Sequence, residues 1–174
     1  MRTRTLLLLA TALTVATVGA AIAAAVAGSG AAPARLVHDD VAPVPTSVVR
    51  ASAVLRAWDR DRAAAWARAD RDALSRLYTP RSRTGRGDVR DLDRWHGRGL
   101  HVVGLRQQLA CVEVRAETSD RLVLAVTERT VDGIAVGRHR RTALPVSAWA
   151  QHVIRLERSH GRWLISRVVD QPAR

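Results

Sequence analysis

The apolar residues of this chain change period once, and the change falls at Gly97–Gly99. Before it they recur at helical steps; after it they alternate. Val54, Trp58, Ala65, Ala69, Ala73 and Leu77 follow four- and seven-residue steps, which predicts helix over Val48–Tyr78. Arg56, Asp59, Arg60, Asp61, Arg62, Arg68, Asp70, Arg71, Asp72 and Arg76 lie between them, the pattern of a solvated, ion-paired helix face. Asp70 is suited to cap a second short helix, so a break is expected near Arg68. Thr79-Pro80 ends the segment, because a residue before proline is pushed out of the helical region. Arg81–Gly87 contains only Arg, Ser, Thr and Gly and reads as a loop. Asp88 then starts a short helix with Val89, Leu92 and Trp95 on its buried face, stopped by Gly97 and Gly99.

The remainder reads as antiparallel strands. Leu105–Glu117 places Ala110, Val112, Val114 and Ala116 on one face and Cys111, Glu113, Arg115 and Glu117 on the other. Thr118-Ser119-Asp120 is a hairpin turn, followed by the alternating Leu122, Leu124 and Val126. Asp132-Gly133 is a turn signal, and Gly137–Pro145 reads as a basic loop. Trp149–Arg158 carries Ala150, His152, Ile154 and Leu156 on one face, and His160-Gly161 turns into a last strand, Trp163–Val169. Helices first and hairpin-joined strands after them predict an α+β domain with the helices on one face of a curved sheet.

The N-terminus has the parts of an export signal. Arg2 and Arg4 precede the charge-free run Leu6–Ala27, and Ala25-Val26-Ala27 and Ala32-Pro33-Ala34 supply small-residue exits. The run also reaches transmembrane length, so an uncleaved anchor with its basic end inside stands beside a cleaved signal. Residues 1–34 are therefore read as signal or anchor, 35–46 as a Pro-containing linker and 47–170 as the domain. Both readings put the domain outside the cytoplasm.

All 28 basic residues are Arg, the net charge is +12 and the pI is about 11.7. Without Lys there is no Schiff-base lysine and no Gly-Lys-Ser/Thr phosphate loop. Without Asn there is no N-glycosylation acceptor, and with Cys111 alone there is no intramolecular disulfide and no cysteine metal cluster. Lys, Asn and Phe have A/T-rich codons, so their absence reads as genome bias. Export argues against nucleic acid as the partner. Only Arg81–Arg98 and Arg138–Arg141 are dense enough to suggest anion contacts, the latter through Arg138, Arg140 and Arg141.

The run Leu55–Pro80, with Ala57-Trp58 early and Leu77-Tyr78-Thr79-Pro80 at its end, resembles the opening of nuclear-transport-factor-2-like (SnoaL-like) domains. His160-Gly161-Arg162-Trp163-Leu164-Ile165 resembles their final hairpin. With the Arg-rich composition and the export signal, the chain is similar to actinobacterial members. The resemblance implies a cone-shaped curved antiparallel sheet packed against N-terminal helices, with a pocket inside the sheet. It also implies a choice, since the family hosts isomerases, dehydratases and cyclases beside non-catalytic binding domains. Members often dimerise through the outer sheet, which makes a homodimer a further expectation.

Alternation puts Glu128 on the Leu122–Val126 face and His152 on the Ala150–Leu156 face. Pairing of the two strands about the Val131–Val146 loop, with positions summing to about 280, would set them opposite each other on the concave side. A carboxylate orienting an imidazole is a general-base arrangement, and a satisfied buried pair is the plainer reading. The resemblance adds Tyr78, a candidate oxyanion donor, and Asp170, which ranks with acids on the late strands of catalytic members. The family's diagnostic Asp/Tyr or His/Asp signature is absent. His96 and His101 lack a third ligand, so no metal is expected, nor is any cofactor. Arg86-Gly87-Asp88 spells a cell-adhesion tripeptide that chance explains in so Arg-rich a chain. The five tryptophans read as core packing. The leading expectation is a non-catalytic binding domain, exported or anchored, for an envelope protein or small ligand. An acid–base enzyme using Tyr78, Glu128, His152 and Asp170 is one alternative, and Arg-mediated binding of an anionic polymer or lipid headgroup is another.

Overall fold

The computed structural model describes residues 44–171. The signal or anchor segment and nearly all of the linker lie outside them. Among the described residues, no helix is long and apolar enough to cross a membrane.

Helix α1 spans Thr46–Arg68 and α2 spans Arg71–Ser75. The break falls where the helical pattern meets Ala69, held at φ 51, and Asp70, whose carboxylate accepts from the Ala73 amide at 2.8 Å. Helix α3, Arg83–His96, begins earlier than expected from Asp88. Ser82 caps it by accepting from the Gly85 amide at 3.1 Å, so most of the predicted loop is helical and Asp88 lies inside the helix. Five antiparallel strands follow: β1 His101–Glu117, β2 Arg121–Val136, β3 Arg141–Ala143, β4 Ala150–Ser159 and β5 Arg162–Gln171. The sheet order is β1-β2-β4-β5, with β3 paired to the far end of β2.

Three strand expectations change, one being that Gly137–Pro145, expected as a loop, contains β3 paired to the end of β2. Asp132-Gly133 does not turn the chain: β2 runs through it, because β1 on one side and β3 on the other continue the ladder. Ala110 and Ala116 do not share the inner face with Val112 and Val114. Register shifts at Leu109/Cys111 and Val114/Ala116 move the alternation, and both alanines are exposed. Gly104, at φ 68 within another irregular stretch of β1, adopts a backbone conformation that a side chain would strain. These irregularities bend the sheet, which stays unclosed.

The helices cover the concave side. Leu122, Leu124, Val126, Ile154, Leu156 and Ile165 meet Leu55, Ala65, Leu74, Leu77 and Leu92 in one core. Trp66 is buried, and Trp58, Trp95 and Trp163 pack against the core. Trp149 departs from the packing expectation: it is exposed, with the Arg129 guanidinium 4.5 Å from its ring centre.

Helix α3 lies so close to Tyr78 that a Cβ on Gly85 would sit 2.5 Å from the ring's Cγ. Tyr78 is buried and fixed at its hydroxyl, so it has nowhere to retreat. Gly85→Ala is expected to lower stability by about 1–3 kcal/mol. Thermal unfolding checks this, and an unchanged midpoint would refute the close approach.

Candidate functional site

Two polar groups interrupt the core beneath the helices. Both are built from α1. Asp59 and Arg62 are one turn apart and Trp66 follows one turn later, so all three lie along one side of the helix.

The first group centres on Asp88. Arg62 donates to it through Nε at 2.7 Å and Nη2 at 2.6 Å, a two-pronged ion pair. Tyr78 donates its hydroxyl at 2.7 Å and Trp66 its indole N–H at 3.2 Å. The Asp88 side chain is 9 % exposed. Trp58 meets Tyr78 edge-to-face at 5.4 Å and donates to the Leu77 carbonyl at 3.0 Å. Burial opposes the Arg62 charge, but the adjacent Asp88 carboxylate outweighs it and pushes the guanidinium pKa further up. Burial, then the Asp88 charge, raises the Tyr78 hydroxyl well above its ordinary value. Three side chains donate to the one Asp88 carboxylate, so this group fastens α1, α3 and the Tyr78 segment together.

The second group lies where Asp59 meets the field of Glu128, which neighbours His152 on the sheet. His152 Nε2 is 3.9 Å from a Glu128 oxygen, and its Nδ1 is 2.9 Å from Asp170. An Nδ1–H bonded to Asp170 leaves Nε2 of the neutral ring toward Glu128. Burial raises the Glu128 pKa, and His152 and Arg62 only partly oppose this. Burial and the Glu128 charge together lift Asp59 from 3.8 to about 7, against the pull of Arg62. The Asp59 carboxyl therefore exchanges a proton near neutrality, and the imidazole of the group neighbours Glu128.

No protein-family model matches the chain, and no curated protein matches it. Solved structures do. A Catenulispora acidiphila protein aligns at 14% identity and TM-score 0.48, over 72% of this chain and 93% of its own. An NTF2 design, Rd1NTF2, aligns at 13% identity and TM-score 0.41, over 70% and 99%. The intermembrane space region of the chloroplast protein ARC6 aligns at 13% identity and TM-score 0.54, over 75% of this chain and all of its own. The helices, the strand order and the bent, unclosed antiparallel sheet decide the class. The chain has a nuclear-transport-factor-2-like fold.

Within this nuclear-transport-factor-2-like cone, Glu128 and His152 come together on the concave side, but diagonally. The paired positions sum to 278, so His152 stands opposite Val126, and Glu128 opposite Ala150. Asp170 is the direct partner of His152 across β4 and β5, with a side chain 81% exposed. Tyr78 is not with them; it belongs to the Asp88 group. Arg138, Arg140 and Arg141 lie exposed around the start of β3, where Arg140 bonds Thr142 at 3.1 Å. His96 is exposed at the end of α3 and His101 opens β1. Among the described residues, no three or more His, Cys, Asp or Glu side chains are placed so as to hold a metal ion. Asp88 of the Arg-Gly-Asp tripeptide is held inside by Arg62 and is not presented for adhesion.

Asp59, Arg62 and Asp88 are the members that sequence reasoning missed. The first two sit in a run of alternating charge that reads as solvated, and the third beside glycine where a cap is expected. The signal available was their spacing along the Trp58–Trp66 side of α1.

Proposed function

We propose that this domain binds a small hydrogen-bond-donating ligand outside the cytoplasm, at the cell envelope, with Asp59, Glu128 and His152 as its contacts. The meeting of Glu128 and His152 on the concave side, with Asp59 close enough to feel the Glu128 charge, carries this reading. Leu124 and Leu156 fill the same face with apolar side chains, so Glu128 and His152 interrupt it. The N-terminal apolar run supports the location. So does the likeness in fold to an intermembrane space region.

The test uses the full chain expressed with its N-terminus intact. The protein is expected in the envelope or extracellular fraction, with a small molecule that native mass spectrometry detects on the wild type. Glu128→Gln/His152→Gln is expected to lose that mass. The same mass on both proteins, or a cytoplasmic location, would overturn the reading.

One observation favours a second reading, an acid–base enzyme. Asp59, at about 7, holds and releases a proton at neutral pH within the field of Glu128. If the bound molecule is converted, Asp59→Asn abolishes turnover while retaining binding.

A further inference from the structure

A pocket of about 250 Å³ lies between α2, the Tyr78–Ser82 connection and α3, and its lining contains none of Asp59, Glu128 and His152. This is just below the roughly 300–1,000 Å³ usual for small-molecule sites, so its occupant is compact. Arg71, Arg86 and Arg90 bring three guanidinium groups to it, and Tyr78, Pro80 and Val89 give it an apolar wall. Arg86 and Arg90 are one turn apart on α3 and project on the same side.

Three acids of α3 are already engaged, one of them by the pocket's own Arg71, and exposed Asp72 of α2 has no ion pair among the described residues. Asp88 pairs with Arg62 in the interior, Asp93 with Arg71 at 3.2 Å and Asp91 with Arg94 at 2.7 Å. Neither Arg86 nor Arg90 has an ion-pair partner among the described residues. Like charges gathered around a concavity repel, and an anion that fits the concavity relieves that repulsion. Guanidinium forks match the oxygens of a phosphate group, and neighbouring apolar side chains match an organic substituent.

We propose that this pocket binds a phosphate monoester, its phosphoryl group against Arg86 and Arg90 and its organic part against Tyr78, Pro80 and Val89. The phosphoryl group belongs either to a soluble ester or to a monoester lipid headgroup. The site is separate from the cone cluster, so either proposal survives failure of the other.

Phenyl phosphate titrated calorimetrically into the full chain is expected to bind more tightly than inorganic phosphate, and more weakly as salt rises. Arg86→Gln/Arg90→Gln is expected to weaken phenyl phosphate at least tenfold with unchanged thermal unfolding. Arg138→Gln/Arg140→Gln and Glu128→Gln/His152→Gln are expected to keep it. The second arm uses phosphatidylcholine vesicles with and without phosphatidic acid. If Arg86→Gln/Arg90→Gln lowers binding to the phosphatidic acid vesicles, a lipid headgroup is a source; if only phenyl phosphate binding falls, the source is soluble. No phenyl phosphate binding, or equal weakening by the two arginine double variants, would overturn the site.

Discussion

Asp88→Ala is expected to lower the stability of the domain by about 3–5 kcal/mol, the range for removing one partner of a buried ion pair. The cost comes from what is left behind. Arg62 keeps a charge in a site where its side chain is 21 % exposed, and the Tyr78 hydroxyl and Trp66 indole lose their acceptor. For a domain of this size the thermal midpoint should fall by about 10 °C or more. Urea unfolding followed by tryptophan fluorescence measures it, since Trp58 and Trp66 report on the site directly. Arg62→Met/Asp88→Leu removes both charges together and is expected to recover at least half of the loss, because no unpaired ion remains buried. A loss below about 1 kcal/mol for Asp88→Ala is what an exposed pair would give, and would contradict the role assigned to this group.

The second large effect is a dependence of stability on pH. Asp59 releases its proton at 3.8 in its ordinary state and at about 7 in the fold. Between those values the folded chain holds a proton that the unfolded chain has released. Stability contributed by this residue therefore falls as pH rises from about 4 to 7, and stays low above. The loss amounts to about 2–4 kcal/mol, the upper figure applying if no water reaches the carboxyl. Asp59→Asn should remove this slope and leave the variant more stable than the wild type at pH 8. Glu128→Gln should shrink it, because the Glu128 charge is part of what raises Asp59. Urea unfolding of each protein at pH 5, 6, 7 and 8 reads the difference. Parallel profiles for the wild type and Asp59→Asn would remove Asp59 as a proton-holding group.

The long elements were legible because their cause is local. The spacing of Val54, Trp58, Ala65 and Leu77, and the alternation of Leu122, Leu124 and Val126, each reflect one face turned toward a core. The break at Ala69–Asp70 was legible for the same reason, since a cap acts within one turn. The start of α3 was not. Ser82 outcompetes Asp88 as its cap, and both residue types suit that role in the sequence. Nor were the register shifts of β1 legible, because they depend on a partner strand, and each one exchanges the inner and outer faces.

By itself the sequence determined the order of helices and strands, the alternating faces of β2 and β4, and the presence of Glu128 and His152 on the inner side. Tertiary structure alone decided which charges leave the solvent. Asp59, Arg62 and Asp88 have the same local surroundings as the exposed Arg and Asp residues around them. What separates them is the approach of α3 to α1 and of α1 to the sheet. That approach strips water from these three and makes their mutual distances, rather than their residue types, set their chemistry.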